Sequence, residues 1–138
     1  MPKLLASASG RAALAVVALV VALASFVTAN ITRDNHSEAA VAKTITGGDP
    51  GRAPEIFRRY GCSGCHTIPG IPGADGQVGA PLTGMSERVY VAGVLENRSD
   101  NLVAWIVSPR NFSPSTAMPA TGISQQEARD LAAYLYAQ

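Results

Sequence analysis

The sequence predicts an all-α domain of short helices and long loops wrapped around one large apolar group, behind a single N-terminal hydrophobic helix. Three observations predict it. From Ala12 to Ala29 the chain runs without a charge. The C-terminal residues Ala128, Leu131, Ala132 and Leu135 fall on the i, i+3, i+4, i+7 stripe of an amphipathic helix. Between these ends, residues 62–84 are dense in Gly and Pro and lack a period, and residues 110–122 are again irregular. Loops of that length are uncommon in a small domain. Three short helices also make a thin core for residues 51–138, and small domains are marginal unless stapled. Something large and apolar is needed in the middle.

Residues 1–29 read as an N-terminal transmembrane anchor or a signal peptide. The uncharged run gives roughly 27 Å of helix, close to the ~30 Å hydrocarbon core of a bilayer. It is slightly longer than the apolar region of a secretory signal, whereas Val27-Thr28-Ala29 is a small-residue cleavage site. Lys3 and Arg11 precede the run and no acidic residue does. Both readings therefore keep the N-terminus in the cytoplasm and export everything after Asn30. The expected location is the bacterial inner membrane with the folded domain in the periplasm, or the soluble periplasm if the segment is cleaved.

Beyond residue 30 there are nine Lys and Arg (Lys43 and eight arginines) against ten Asp and Glu, with no basic run. Nucleic acid is excluded as a partner on that balance. Residues 30–50 are polar, mixed in charge and without period. They read as a flexible linker with an r.m.s. span of about 25 Å, next to a domain (residues 51–138) of radius of gyration near 12 Å. A spacer of that reach suits an anchored protein better than a released one. His36 lies in this linker with no second ligand near it.

Within residues 51–138 three helices are expected. Pro54 suits the first turn of a helix carrying Ile56, Phe57 and Tyr60 on one side. The stretch SDNLVAWIVSP starts at a cap, Ser99 or Asp100, places Leu102, Trp105 and Ile106 on one face and stops at Pro109. The last helix starts at Ser124, with Glu127 at the spacing of a capping box. Residues 85–97 show no decisive pattern.

Both cysteines of the chain fall in the stretch RRYGCSGCHTIPGIPG, residues 58–73. A disulfide across two intervening residues would close almost no loop and remove little chain entropy. Cys62-x-x-Cys65-His66 has the spacing for attachment of a c-type haem. Two sulfurs on one turn can add to the two vinyl groups, and the residue after the second cysteine lies beneath the iron. A zinc site would need four ligands, which the chain does not offer together. A thioredoxin-like dithiol would need a βαβ setting, which the pattern lacks. With His66 on one face, the opposite face asks for a second ligand among Met85, Met118 and His36. Met118 is favoured, because Pro119 fixes its own backbone and restrains the residue before it, Met118, toward an extended form.

The segments FRRYGCSGCHTIPGIPG, NLVAWIVSP, TAMP and ARDLAAYLYAQ, in this order, resemble the class I, single-haem cytochromes c. Small bacterial membrane-anchored members and the cytochrome c domains fused behind oxidase subunits are both similar. The resemblance covers all of residues 51–138. It implies one haem c, covalent through Cys62 and Cys65, with His66 and Met118 as axial ligands. It implies that the helix before Cys62 crosses the C-terminal helix, with Phe57 or Tyr60 meeting Leu131 or Tyr134, and that Leu82 touches the haem. The family usually has proline two positions before the residue matching Leu82, and its carbonyl accepts a bond from the ligand histidine. Here that residue is Ala80, which supplies the same carbonyl without the restraint. Arg88, Tyr90, Arg98 and Trp105 are candidates to hold the haem propionates.

His/Met ligation fills both axial positions and implies a one-electron carrier rather than an enzyme, with no small-molecule substrate. The implied partners are redox proteins, a quinol-oxidising complex as donor and a terminal oxidase as acceptor. The alternatives are a fixed electron-transfer subunit of a periplasmic dehydrogenase or oxidase, and a five-coordinate haem sensor or peroxidase-like protein.

Overall fold

The structure is a computed structural model describing residues 3–138, with side-chain environments from residue 10 onward. Met1 and Pro2, part of the segment assigned to residues 1–29, lie outside the described residues. The chain divides into two units, Met1–His36 and Ser37–Gln138.

Helix α1 spans Lys3–Thr46. No glycine or proline interrupts the chain between Arg11 and Gly47, so nothing breaks the hydrogen-bond ladder. Gly10–Thr46 is long and apolar enough to cross a membrane, with an 18-residue window of mean hydropathy 2.6 and none of that window buried. Leu14, Val17, Leu19, Leu23 and Phe26 all stand exposed. A helix apolar on all sides and uncovered by protein is suited to lipid.

Of residues 30–50, expected from sequence to be a flexible linker, residues 30–46 instead continue α1. The stretch Ser37–Lys43 is mostly good helix formers, and its lack of an amphipathic period hid this. The end of the helix also packs within the second unit, where Ala42 and Thr46 are buried. Arg129 Nη1 donates to the Thr46 carbonyl at 3.0 Å, and Gln126 Nε2 donates to the Gly47 carbonyl at 3.1 Å. Asp49 N–H donates to Asp130 Oδ1 at 2.8 Å, and Arg52 pairs with Asp130 Oδ2 at 3.2 Å. The fully buried Asp130 carboxylate thus holds the chain entry against the C-terminal helix.

Helix α2 spans Ala53–Arg59, α3 Ser99–Val107 and α4 Gln125–Tyr136. Pro54 sits in the first turn of α2. Ser124 caps α4 with the complete capping box to Glu127. Helix α3 is capped by Arg98 without a side-chain bond, so neither Ser99 nor Asp100 serves as its cap. The stretch 85–97, undecided from sequence, is a 3-10 turn at Met85–Glu87 followed by a small hairpin. Strand β1 (Tyr90–Val91) pairs antiparallel with β2 (Leu95–Glu96), Val91 facing Leu95.

Helices α2 and α4 pack across one another as the resemblance implies. Phe57 and Tyr134 meet edge to face, ring centroids 5.5 Å apart. Tyr60 donates its hydroxyl to Glu127 Oε2 at 2.9 Å, and Arg59 pairs with Glu127 Oε1 at 2.8 Å. The core continues from Ile56, Phe57, Leu131 and Leu135 through Leu102, Trp105 and Ile106 to the loop residues Ile68, Ile71 and Met85. Burial of loop side chains on this scale gives the long irregular segments a fixed path.

Candidate functional site

The attachment motif begins where α2 stops. Gly61 takes a left-handed backbone, φ 68°, which a side chain would oppose. The chain then makes a tight turn over Cys62–Gly64, and the Cys62 carbonyl accepts from both Cys65 N–H (3.2 Å) and His66 N–H (3.0 Å). One turn therefore carries both sulfurs and the imidazole. Cys62, Cys65 and His66 are each half-buried, and the sulfurs are not bonded to one another. Burial pushes the Cys62 thiol above its ordinary value.

His66 Nδ1 lies 2.7 Å from the Ala80 carbonyl. A carbonyl only accepts, so Nδ1 carries the proton and Nε2 is left as the basic nitrogen. The main chain follows the motif closely. Gly79 N–H donates to Cys65 O at 2.8 Å, Leu82 N–H to Thr67 O at 2.9 Å, and Thr67 Oγ1 to Gly76 O at 3.1 Å. Gly79 is pressed against the imidazole. A Cβ there would stand 2.7 Å from Nδ1 and 2.9 Å from Nε2, closer than real side chains come. Gly76 approaches the Cys65 main chain in the same way, where a Cβ would lie 2.6 Å from the carbonyl carbon.

This donor set fits a haem held by two thioethers. Two thiols and an imidazole sit on one turn, the imidazole is fixed in the tautomer that frees Nε2, and a glycine leaves room for the ring. Among the described residues, no group of three or more His, Cys, Asp or Glu is placed to hold a metal ion directly, which leaves the zinc reading without its ligands.

The other sequence-predicted residues fall into two groups. Leu82 and Met118 are half-buried against the core, and Trp105 is buried in it. Met118 N–H bonds Thr116 Oγ1 at 3.3 Å. Met85 is deep in the core, 4% exposed, with its carbonyl accepting from Asn97 Nδ2 at 2.7 Å. His36 is exposed on α1. Tyr90 is exposed on β1 and Arg98 is exposed ahead of α3. The Arg88 guanidinium reaches the main-chain carbonyls of Pro81 and Thr83. The close approaches of Gly76 and Gly79 and the role of Asn97 escaped the sequence reading. The glycines of GADGQVGAP were visible as loop formers, but nothing local tells a glycine that turns from one that gives way to a ring.

A family model described as Cytochrome c matches residues 51–137. Cytochrome c oxidase subunit 2 of Alkalihalophilus pseudofirmus is 37% identical over 82 residues, covering 59% of this chain and 23% of that protein. The protein of the same name from Bacillus subtilis is 34% identical over 85 residues, covering 59% of this chain and 24% of its own length. The chain thus spans about a quarter of the length of the curated relatives it matches. No solved structure matches significantly.

Proposed function

The chain belongs to the cytochrome c family, and on that premise we propose that it is a membrane-tethered, periplasmic one-electron carrier with His66 and Met118 as axial ligands. Family membership itself implies a covalent haem c and electron transfer. The haem supplies a reversible one-electron couple when bound. What this chain contributes is attachment, ligation and shelter. Cys62 and Cys65 would form the thioethers. His66 would ligate through Nε2, its orientation held by Ala80. Met118, half-buried beside Pro119, would supply the soft thioether that favours the reduced metal. Leu82 and Trp105 would help to exclude water.

The observation that carries this reading is the pairing of His66 Nδ1 with the Ala80 carbonyl, 2.7 Å, within one turn of two unjoined cysteines. It gives the histidine the tautomer of a metal ligand and a reason for that orientation. The apolar helix α1 supports the tether, and the charge placement around it supports export of the domain. A quinol-oxidising complex as donor and a terminal oxidase as acceptor remain the partners that suit such a carrier.

Absorption spectra of membranes and soluble fraction, oxidised and reduced, test the reading. A c-type spectrum in the membranes, with a weak ferric charge-transfer band lost in Met118→Ala, is expected. Carbon monoxide binding to the reduced native protein would instead indicate an open axial position and a sensor or peroxidase-like role.

One observation favours a second reading. Both curated relatives are named as oxidase subunits, which supports a fixed electron-entry subunit of an oxidase. Recovery in constant ratio with one enzyme through purification would select that reading.

A further inference from the structure

We propose that Arg88 is a positioning residue: its guanidinium fastens residues 80–83 and so fixes the carbonyl that receives the His66 Nδ1–H bond. This rests on His66 being the iron ligand and adds what holds that ligand in place.

The segment Ala80-Pro81-Leu82-Thr83 has little of its own to hold it. It lies outside any helix or strand, Pro81 has no N–H to donate, and the proline that usually restrains the family's carbonyl is Ala80 here. Leu82 N–H is tied to Thr67 O. The carbonyls on either side of Leu82 are taken by one cation: Arg88 Nη2 donates to Pro81 O and, at 2.9 Å, to Thr83 O. Charge-assisted bonds from the two N–H groups of one guanidinium nitrogen to two carbonyls hold that stretch as a unit. Ala80 O, next in the chain, is the acceptor of His66.

Arg88 is itself held from behind. Its carbonyl accepts from Asn97 Nδ2 at 2.7 Å, and the same amide nitrogen donates to Met85 O at 2.7 Å. Two carbonyl partners require the NH2 side of the amide there, which leaves Asn97 Oδ1 to accept from the Tyr136 hydroxyl at 2.7 Å. A continuous path of hydrogen bonds therefore runs from α4 through Tyr136, Asn97 and Arg88 to the loop that orients His66. The sequence marked Arg88 as a propionate candidate; the geometry gives Nη2 this other task.

Two effects of losing Arg88 have opposite signs, which makes the proposal testable. A loosened Ala80 carbonyl weakens the Nδ1–H bond, makes the imidazole a poorer donor and raises the reduction potential. Loss of a nearby positive charge favours the oxidised metal and lowers the potential. Arg88→Lys keeps the charge on a stem one bond shorter, so its nitrogen falls short of the place from which Nη2 bonds both carbonyls. Tyr136→Phe leaves Arg88 in place and removes its support.

The experiment uses the full-length haem-loaded protein in detergent, reading the midpoint potential and the hydrogen exchange of His66 Nδ1–H by NMR. In Arg88→Lys the potential is expected to rise and exchange to quicken about tenfold; Tyr136→Phe should move both the same way by less. If Arg88→Lys fails to assemble, Tyr136→Phe carries the test with the same two readouts. Wild-type exchange and potential in the variants, even with a lowered melting temperature, would overturn the clamp and leave a merely structural contact. A wild-type protein showing no ligated-imidazole resonance would overturn the haem reading, and this proposal with it.

Discussion

Adding one methyl group at Gly79 should press directly on the His66 imidazole. The new Cβ would lie 2.7 Å from His66 Nδ1 and 2.9 Å from Nε2, whereas carbon contacts are comfortable near 3.5–4.0 Å, so ring or loop must give by roughly 0.5–1 Å. The Nδ1–Ala80 bond, now 2.7 Å, would then stretch to the edge of hydrogen bonding. Overpacking costs about 1–3 kcal/mol, and the displaced Nδ1–H, whose bond to Ala80 lies exposed, turns to water and adds little. The net loss is therefore about 1–3 kcal/mol. For a domain of this size that lowers the melting temperature by roughly 5–20 °C. Thermal denaturation followed by circular dichroism measures the loss, and the midpoint potential of the same sample reports the histidine. Gly64→Ala is the control, since a methyl there meets nothing within 4 Å, and it should stay within about 0.5 kcal/mol of wild type. A Gly79→Ala protein as stable as that control, with an unshifted potential, would refute the packing of this glycine on the imidazole.

Three further outcomes are expected. Met118→Ala should abolish the weak ferric charge-transfer band and lower the potential, while Met85→Ala, which empties a core position, should keep the band and cost about 2–5 kcal/mol in a denaturant melt. Ala92 holds a left-handed backbone, φ 49°, at the tip of the β1–β2 hairpin; Ala92→Gly should therefore stabilise the domain by about 1 kcal/mol in the same melt. The Glu127 carboxyl is held below its ordinary value, first by the Ser124 hydroxyl and then by Tyr60. A carboxylate with a depressed folded pKa stabilises fully above its unfolded value, near 4.5, and stops doing so as pH falls through the folded one. Glu127→Gln should thus be less stable than wild type at neutral pH, and the gap should close on acidification.

The elements that sequence resolved are those whose cause is local. Ser124 and Glu127 announce α4 because a capping box needs only its own four residues, and the stripe through Leu131 and Leu135 needs only helical spacing. The attachment turn is local for the same reason: two sulfurs and an imidazole must sit within five residues to reach one ring. What stayed hidden depends on distant partners. Residues 30–46 carry no amphipathic period, and the Thr46 and Gly47 carbonyls are held by Arg129 and Gln126, 83 and 79 positions away. The hairpin at 90–96 has strands of two residues each, too short for alternation to show. Arg88 reads from sequence as a propionate candidate because its partners in the structure are carbonyls, which no sequence pattern marks. The crossing of α2 and α4 through Phe57 and Tyr134 was expected only from the family resemblance, and the structure bears it out.

The mass of the intact purified polypeptide, taken with its absorption after denaturation in alkaline pyridine, tests the central claim most directly. Thioether attachment through Cys62 and Cys65 predicts a chain heavier by one haem, with colour that remains on the protein after unfolding and acid extraction. A chain at the mass of its amino acids, or colour that extracts into organic solvent, would contradict it.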